Sequence, residues 1–236
     1  MTERGRAGLS RSARSLRIGP SSYEWTGTEL VIELDERGGL PSLGRTRGAV
    51  TITPTAVTRV ELPLTPDGAH VWRPFAPTAR ARVDLGPGWR WEGHAYLDAN
   101  FGARPLEADF AYWTWARYPD GDGTLCLYDA DRRDGTRLEA ALRFGPGGRG
   151  EAVEAPPRAP LARSGWRIRR ETRADPGSEP REVRAMLDAP FYTRAEVETV
   201  IGGRTVRGVH EALDLDRFDR QVVKAMLAFR IPRVRR

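Results

Sequence analysis

Short stretches of alternating apolar and polar residues recur along the whole chain, separated by turns rich in glycine, proline and aspartate. Residues 30–34, 49–53, 79–85, 89–98 and 112–117 read as strands. Successive side chains of a strand point to opposite faces, so a half-buried strand alternates with period two. Residues 125–130 and 137–144 are predicted to pair as a hairpin across a turn at 131–135, and 119–123 is a second turn. Further strands are predicted at 165–172, 182–187 and 194–201. Many short strands at this spacing indicate a barrel or sandwich rather than βαβ units. One segment departs from the pattern. Leu215, Phe218, Val222 and Met226 fall at helical spacing within 214–227, which predicts one amphipathic helix packed on the sheet. The stretch 145–160 is dense in glycine and proline, so 149–160 is predicted to link a first half, 1–148, to a second half, 161–236.

Composition narrows the functional classes. With 236 residues, 39% of them hydrophobic and 30% charged, the chain is globular and has room for one large all-β domain or two small ones. No apolar run approaches the roughly 18 residues of a membrane-spanning helix. The arginine-rich residues 1–17 lack the apolar segment of a secretory signal. The formal charge of +6 is carried almost wholly by arginine, Lys224 being the sole lysine. Two readings of this charge stay open: a solvated surface, or attraction of the basic ends, 4–17 and 230–236, to anionic lipid headgroups. Scattered arginines without a helix-turn-helix or ribonucleoprotein motif predict no nucleic-acid partner. Cys126 is the single cysteine, which excludes an internal disulfide and a cysteine-based zinc site. Within the apolar run 125–127, it is expected as a buried strand residue. Two motif matches carry no function. Gly145, Gly147 and Gly150 satisfy G-x-G-x-x-G, but EAPP at 154–157 cannot supply the helix that a dinucleotide site needs. The stretch 129–135 resembles a calcium loop, but Arg133 stands where an oxygen ligand belongs.

Candidate chemistry concentrates in two aromatic-rich segments, GAHVWRPFAP at 68–77 and WRWEGHAYLDANFG at 89–102. Strand alternation puts His70 and Trp72 on one face; it likewise groups His94, Tyr96 and Asp98, opposite Trp89, Trp91, Ala95 and Leu97. Either the tryptophans fill the core and the polar set faces water, or the polar set lines a pocket; a bulge at Gly93 would reset the phase. Three histidines far apart in sequence make no metal site, so no metal is expected. His210 is expected to be structural. Arg167, Arg169 and Arg170, alternating with Trp166 and Ile168, read as a solvated strand face.

The stretches LRIGPSS (16–22), HVWRPFAP (70–77), GHAYLDANFG (93–102), LYDADRRDG (127–135), DAPFYTR (188–194), VHEALDLDRF (209–218) and MLAFRIPR (226–233) occur in collinear order. Through them the chain resembles the carotenoid 1,2-hydratase (hydroxyneurosporene synthase) family over nearly its whole length. The resemblance implies an all-β, lipocalin-like fold of two β-barrel-type halves with one C-terminal helix. It also implies a segment of several dozen residues ahead of the stretch matching Met1, so the first half is expected to be an incomplete barrel. The implied activity is addition of water to the terminal C1=C2 double bond of lycopene- or neurosporene-type carotenoids, without organic cofactor or metal. The family's His-x-Trp motif falls on His70 and Trp72, and its Tyr-Leu-Asp motif on Tyr96 and Asp98. After the aspartate the family reads serine-asparagine-histidine-glycine; this chain has Ala99, Asn100, Phe101 and Gly102, and Phe101 cannot transfer a proton.

Hydrating an isolated alkene requires a proton donor in a dry site and protection of a tertiary carbocation. A carboxylic acid buried among apolar and aromatic groups can stay protonated near neutrality. Asp98 is therefore the expected acid, with Trp72 and Tyr96 presenting π-faces to the cation and His70 holding the attacking water. Trp91, His94, Asn100 and Phe101 are expected to contact substrate. The implied partners are an acyclic carotenoid and a membrane surface, with the protein cytoplasmic and peripheral on the inner membrane. The alternative is a non-catalytic lipocalin-like binder of a hydrophobic molecule, a degenerate hydratase.

Overall fold

The computed structural model describes residues 5–38 and 44–226. Among these the chain is almost wholly antiparallel β-structure and divides into two compact units, the first of the described residues within 1–58 and 75–98, the second of those within 59–74 and 99–236.

In the first unit β1 (Leu9–Arg11), β2 (Ser15–Ile18), β3 (Ser21–Trp25), β4 (Leu30–Arg37) and β5 (Arg45–Pro54) pair in order as a meander. The short β6 (Leu62–Pro63) pairs with the start of β7 (His70–Asp84), setting Leu62 opposite Trp72. The remainder of β7 pairs with β5, from Ala49 opposite Asp84 to Pro54 opposite Ala79. β8 (Arg90–Gly102) also pairs with β7. Residues 70–74 of β7 and 99–102 of β8 belong to the second unit. The apolar heart of the first unit is Ile52, Ala79 and Ala81, packed with Leu30, Ile32, Val50, Ala95 and Leu97. Alternation thus turns Ala95 and Leu97 toward the core, and Tyr96 and Asp98 to the opposite face of β8.

Beyond β6, the start of β7 and the end of β8, the second unit contains the single turn α1 (Leu106–Asp109), followed by β9 (Phe110–Asp120), β10 (Gly123–Arg132), β11 (Arg137–Phe144) and β12 (Gly150–Ala152). Then come β13 (Arg158–Leu161), β14 (Arg170–Arg173), β15 (Arg181–Asp188), β16 (Tyr192–Ile201), β17 (Arg204–Asp214), α2 (Leu215–Phe218) and α3 (Gln221–Met226). Seven strands form one sheet in the order β12-β11-β10-β9-β17-β16-β15, and β13 pairs with β14. β9 lies at its centre and is buried on both faces, which explains its near-continuous apolar run FAYWTWA. Its Tyr112, Ala116 and Tyr118 face the β13–β14 pair. There Tyr112 meets Ile168, and the Tyr118 and Thr172 hydroxyls lie 2.9 Å apart. On the opposite face Trp113 packs edge-on against Tyr128, with ring centroids 5.3 Å apart.

Three segments differ in detail from the local pattern. The proposed linker lies inside the second unit, where β12 pairs with β11 and β13 with β14; Gly150 there sits against Phe144 and Val60, which is a packing role for a glycine rather than a hinge. The C-terminal helical segment is present but divided, since the chain turns at Asp219 and Arg220 between α2 and α3. The apolar phase slips there, so that Val223 is buried while Val222 is 66% exposed; Leu227 lies outside the described residues. Arg170 is not on a solvated face. It is buried, pairs with Glu182 and donates to the Ala162 carbonyl. Arg169 lies 4.0 Å over the Tyr112 ring and binds Asp131 at 2.8 Å. Arg167 has φ +61°, which ends any strand before β14 begins.

Candidate active site

His70 opens β7 with its backbone fixed on both sides: its N–H donates to the Thr65 hydroxyl at 3.2 Å, and its carbonyl accepts from the Leu64 N–H at 2.7 Å. The ring is buried, 1% exposed, and meets Phe110 edge-on at 5.3 Å. Its Nε2 lies 2.7 Å from Oδ2 of Asp109, the last residue of α1. Arg104 clamps the same carboxylate with both arms, Nε to Oδ2 at 2.7 Å and Nη2 to Oδ1 at 2.9 Å, and also reaches Asp67 at 2.7 Å. The Arg104 hydrogen bond holds the Asp109 carboxyl below its ordinary range; burial opposes this, and the His70 hydrogen bond adds to it. Asp67 is held far below that range by the Thr65 hydroxyl, the Ala69 N–H and Arg104. An ionised Asp109 can only accept, so Nε2 of His70 donates to it.

Trp72, two residues on, shares the face of His70 and is 1% exposed. Its ring stacks at a tilt on Tyr128, centroids 5.6 Å apart, and Tyr128 in turn meets Trp113. Each such pair contributes about 1 kcal/mol beyond its burial and fixes ring orientation. The second motif lies on β8 of the first unit. Tyr96 and Asp98 are half-buried, and the Tyr96 hydroxyl donates to Asp98 Oδ2 at 3.0 Å. The period of the strand puts them side by side, and the hydrogen bond orients the carboxyl group.

The structure therefore joins the expected residues in two pairs, His70 with Trp72 in the second unit and Tyr96 with Asp98 in the first. Trp91, His94, Asn100 and Phe101 are exposed along β8. The open question about the tryptophans has a mixed answer: Trp89 and Trp91 are 56% and 51% exposed, while Ala95 and Leu97 on the same alternation face the core. Sequence reasoning missed Asp109, Arg104, Trp113 and Tyr128, which lie 32 to 58 residues from His70 and Trp72 and share no spacing with them. Cys126 is buried in β10, as expected. His210 is also structural, fully buried with Nε2 on the Glu171 carbonyl at 2.8 Å. Among the described residues no three His, Cys, Asp or Glu side chains gather into a metal-binding group.

The family model described as carotenoid hydratase CrtC matches residues 1–236. A protein of Cereibacter sphaeroides named acyclic carotenoid 1,2-hydratase is 54% identical over 233 residues, 99% of this chain and 84% of that protein. A Rhodobacter capsulatus protein of the same name is 52% identical over 234 residues, 99% of this chain and 83% of its own length. In fold the chain is similar to a crystal structure of an AttH protein from Nitrosomonas europaea, with TM-score 0.58 at 12% identity, covering 89% of this chain and 73% of that one. The all-β, lipocalin-like architecture is that of this neighbour.

Proposed function

This chain belongs to the carotenoid hydratase family, and from that premise we propose that it adds water across the terminal C1=C2 double bond of an acyclic carotenoid. One observation carries the reading. A chain matched over 99% of its length by hydratases presents a carboxyl group oriented by a phenol, Asp98 with Tyr96 at 3.0 Å. The substrate class is the lycopene or neurosporene type, and the enzyme is a hydro-lyase working in the hydration direction.

The steps follow from the residue types. A trisubstituted alkene is a weak base, so the acid must meet it at contact distance in a dry site; Asp98 is assigned to protonate C2. The positive charge then develops at tertiary C1. A desolvated aromatic face stabilises such a cation by about 2 kcal/mol, a role assigned to Tyr96 and Trp72. Water attacks C1, and the resulting oxonium gives its extra proton to His70. Asp98 regains a proton from solvent, so the cycle consumes only water. The exposed Trp91, His94, Asn100 and Phe101 are assigned contact with the polyene rather than chemistry.

The substrate dissolves only in lipid, and we place the protein peripherally on a membrane. The charge of +6 supports this, as do the exposed Trp89 and Trp91 flanking Arg90. No helix among the described residues is long and apolar enough to cross a membrane. Expression in a lycopene-producing host tests the function: chromatography should show 1-hydroxylated carotenoid, and unchanged lycopene would contradict the reading.

A further inference from the structure

We propose that Asp109 is a positioning residue for His70, fixing the ring and balancing the imidazolium formed when His70 takes the proton of the attacking water, an inference that rests on the hydratase reading above. The geometry is that of a one-way acceptor. Nε2 faces a carboxylate at 2.7 Å, and that carboxylate is pinned through both oxygens by Arg104. The ring therefore cannot turn over, and its hydrogen stays on Nε2.

The other nitrogen is left for substrate water. Gly102 lies close against this edge of the ring. A Cβ at that position would lie 2.7 Å from Nδ1 and 3.0 Å from Cε1, so any side chain there would displace the ring.

A polar cleft of about 500 Å³ is lined by Thr65, Asp67, Arg104, Asp109, Arg132 and Arg133 among others, so the carboxylate that receives His70 Nε2 stands at a surface that water can reach. In the step itself the O–H bond of the oxonium breaks and an Nδ1–H bond forms. The imidazolium is balanced by the Asp109 carboxylate; after the product leaves, Nδ1 gives its proton to solvent, which restores the Nε2–H tautomer, and solvent returns one proton to Asp98. Charge and protons balance over the cycle, and no co-reactant beyond water is used. Arg104 keeps Asp109 ionised so that it draws on the imidazolium rather than competing as a donor.

The test combines kinetics with ¹⁵N NMR of histidine-labelled full chain. In the parent, His70 should show the Nε2–H tautomer. Asp109→Asn should lower kcat on lycopene about 100-fold with KM within about threefold, and should bring in the Nδ1–H tautomer, since an amide can donate where the carboxylate could only accept. Asp109→Glu should recover about a tenth of parental kcat or more. A kcat within about threefold of the parent in Asp109→Asn overturns the inference, as does a loss of kcat with the Nε2–H tautomer unchanged. If Asp109→Asn does not fold, Arg104→Gln replaces it: a roughly tenfold loss of kcat supports the positioning role, and parental kcat overturns it. A parent that hydrates while these variants are unaffected leaves the hydratase reading standing; a parent that hydrates nothing removes both.

Discussion

The residues that matter most differ in how they are held, and only part of that was written locally in the chain. The partnership of Tyr96 and Asp98 was legible, because residues two apart on a strand share a face. His70 with Asp109 was not, because 39 positions and a turn of helix separate them and no periodicity links the two. His210 shows the same limit from the other side. Its structural role could be anticipated, but its complete burial could not. That burial lowers its pKa to about 4 from an ordinary value of 6.5, with the hydrogen bond to Glu171 opposing and Arg170 adding to the shift. Between pH 6.5 and 4 the unfolded chain takes up a proton that the native chain refuses, so stability falls as pH drops through this window. The loss should approach about 3 kcal/mol at pH 4. Urea unfolding at pH 7 and pH 4.5 should show a His210-dependent part of that decline, absent from His210→Gln.

Among the elements, the strands were legible and their burial was not. The strands β9, β10, β11 and β16 and the hairpin between β10 and β11 follow from local pattern and turn residues. The β13–β14 pair was obscured. Proline and glycine suggested a linker, and arginines suggested solvent, yet these arginines fill the inner face of the second unit's sheet. Arg173 binds Asp129 through two nitrogens and Glu139 at 3.3 Å; Arg158 adds contacts to Glu139 at 3.0 Å and Glu171 at 3.2 Å. Burial opposes the charge on Arg173, but hydrogen bonds and attraction from Asp129 and Glu139 outweigh it and raise its pKa. Sequence pattern treats arginine as a surface residue and cannot register that carboxylates from neighbouring strands converge on it. Removing one partner of a buried pair leaves the other uncompensated, which typically costs about 3–5 kcal/mol. Arg173→Ala should therefore destabilise the protein by about that much in urea titration, whereas Arg181→Ala, which breaks the solvent-exposed pair with Glu198, should have a far smaller effect. Equal effects would mean that the buried network does not hold β14 to the sheet.

At the scale of the molecule, the family and the lipocalin-like class were legible from collinear motifs, but the division of the chain was not. The two units are not consecutive in sequence, because residues 59–74 leave the first to join the second. A boundary drawn from glycine and proline content cannot anticipate a strand such as β7 that serves both. The excess of arginine, by contrast, is readable and has a consequence for the whole protein. If the charge of +6 attracts anionic lipid, flotation with vesicles of mixed neutral and anionic phospholipid should fall as salt is raised from about 50 to 500 mM. Salt-independent flotation would assign the contact to apolar insertion instead, and its absence would remove the peripheral placement. The central claim, acid-catalysed hydration through Asp98, concerns the whole catalytic cycle. It is tested most directly by expressing the parent and Asp98→Asn side by side in lycopene-producing cells and quantifying hydroxylated carotenoid by chromatography. The asparagine keeps the shape and removes the acid, so the parent should accumulate 1-hydroxylated product while the variant, folded and present at equal level, accumulates none; product from Asp98→Asn at the parental rate would contradict the account.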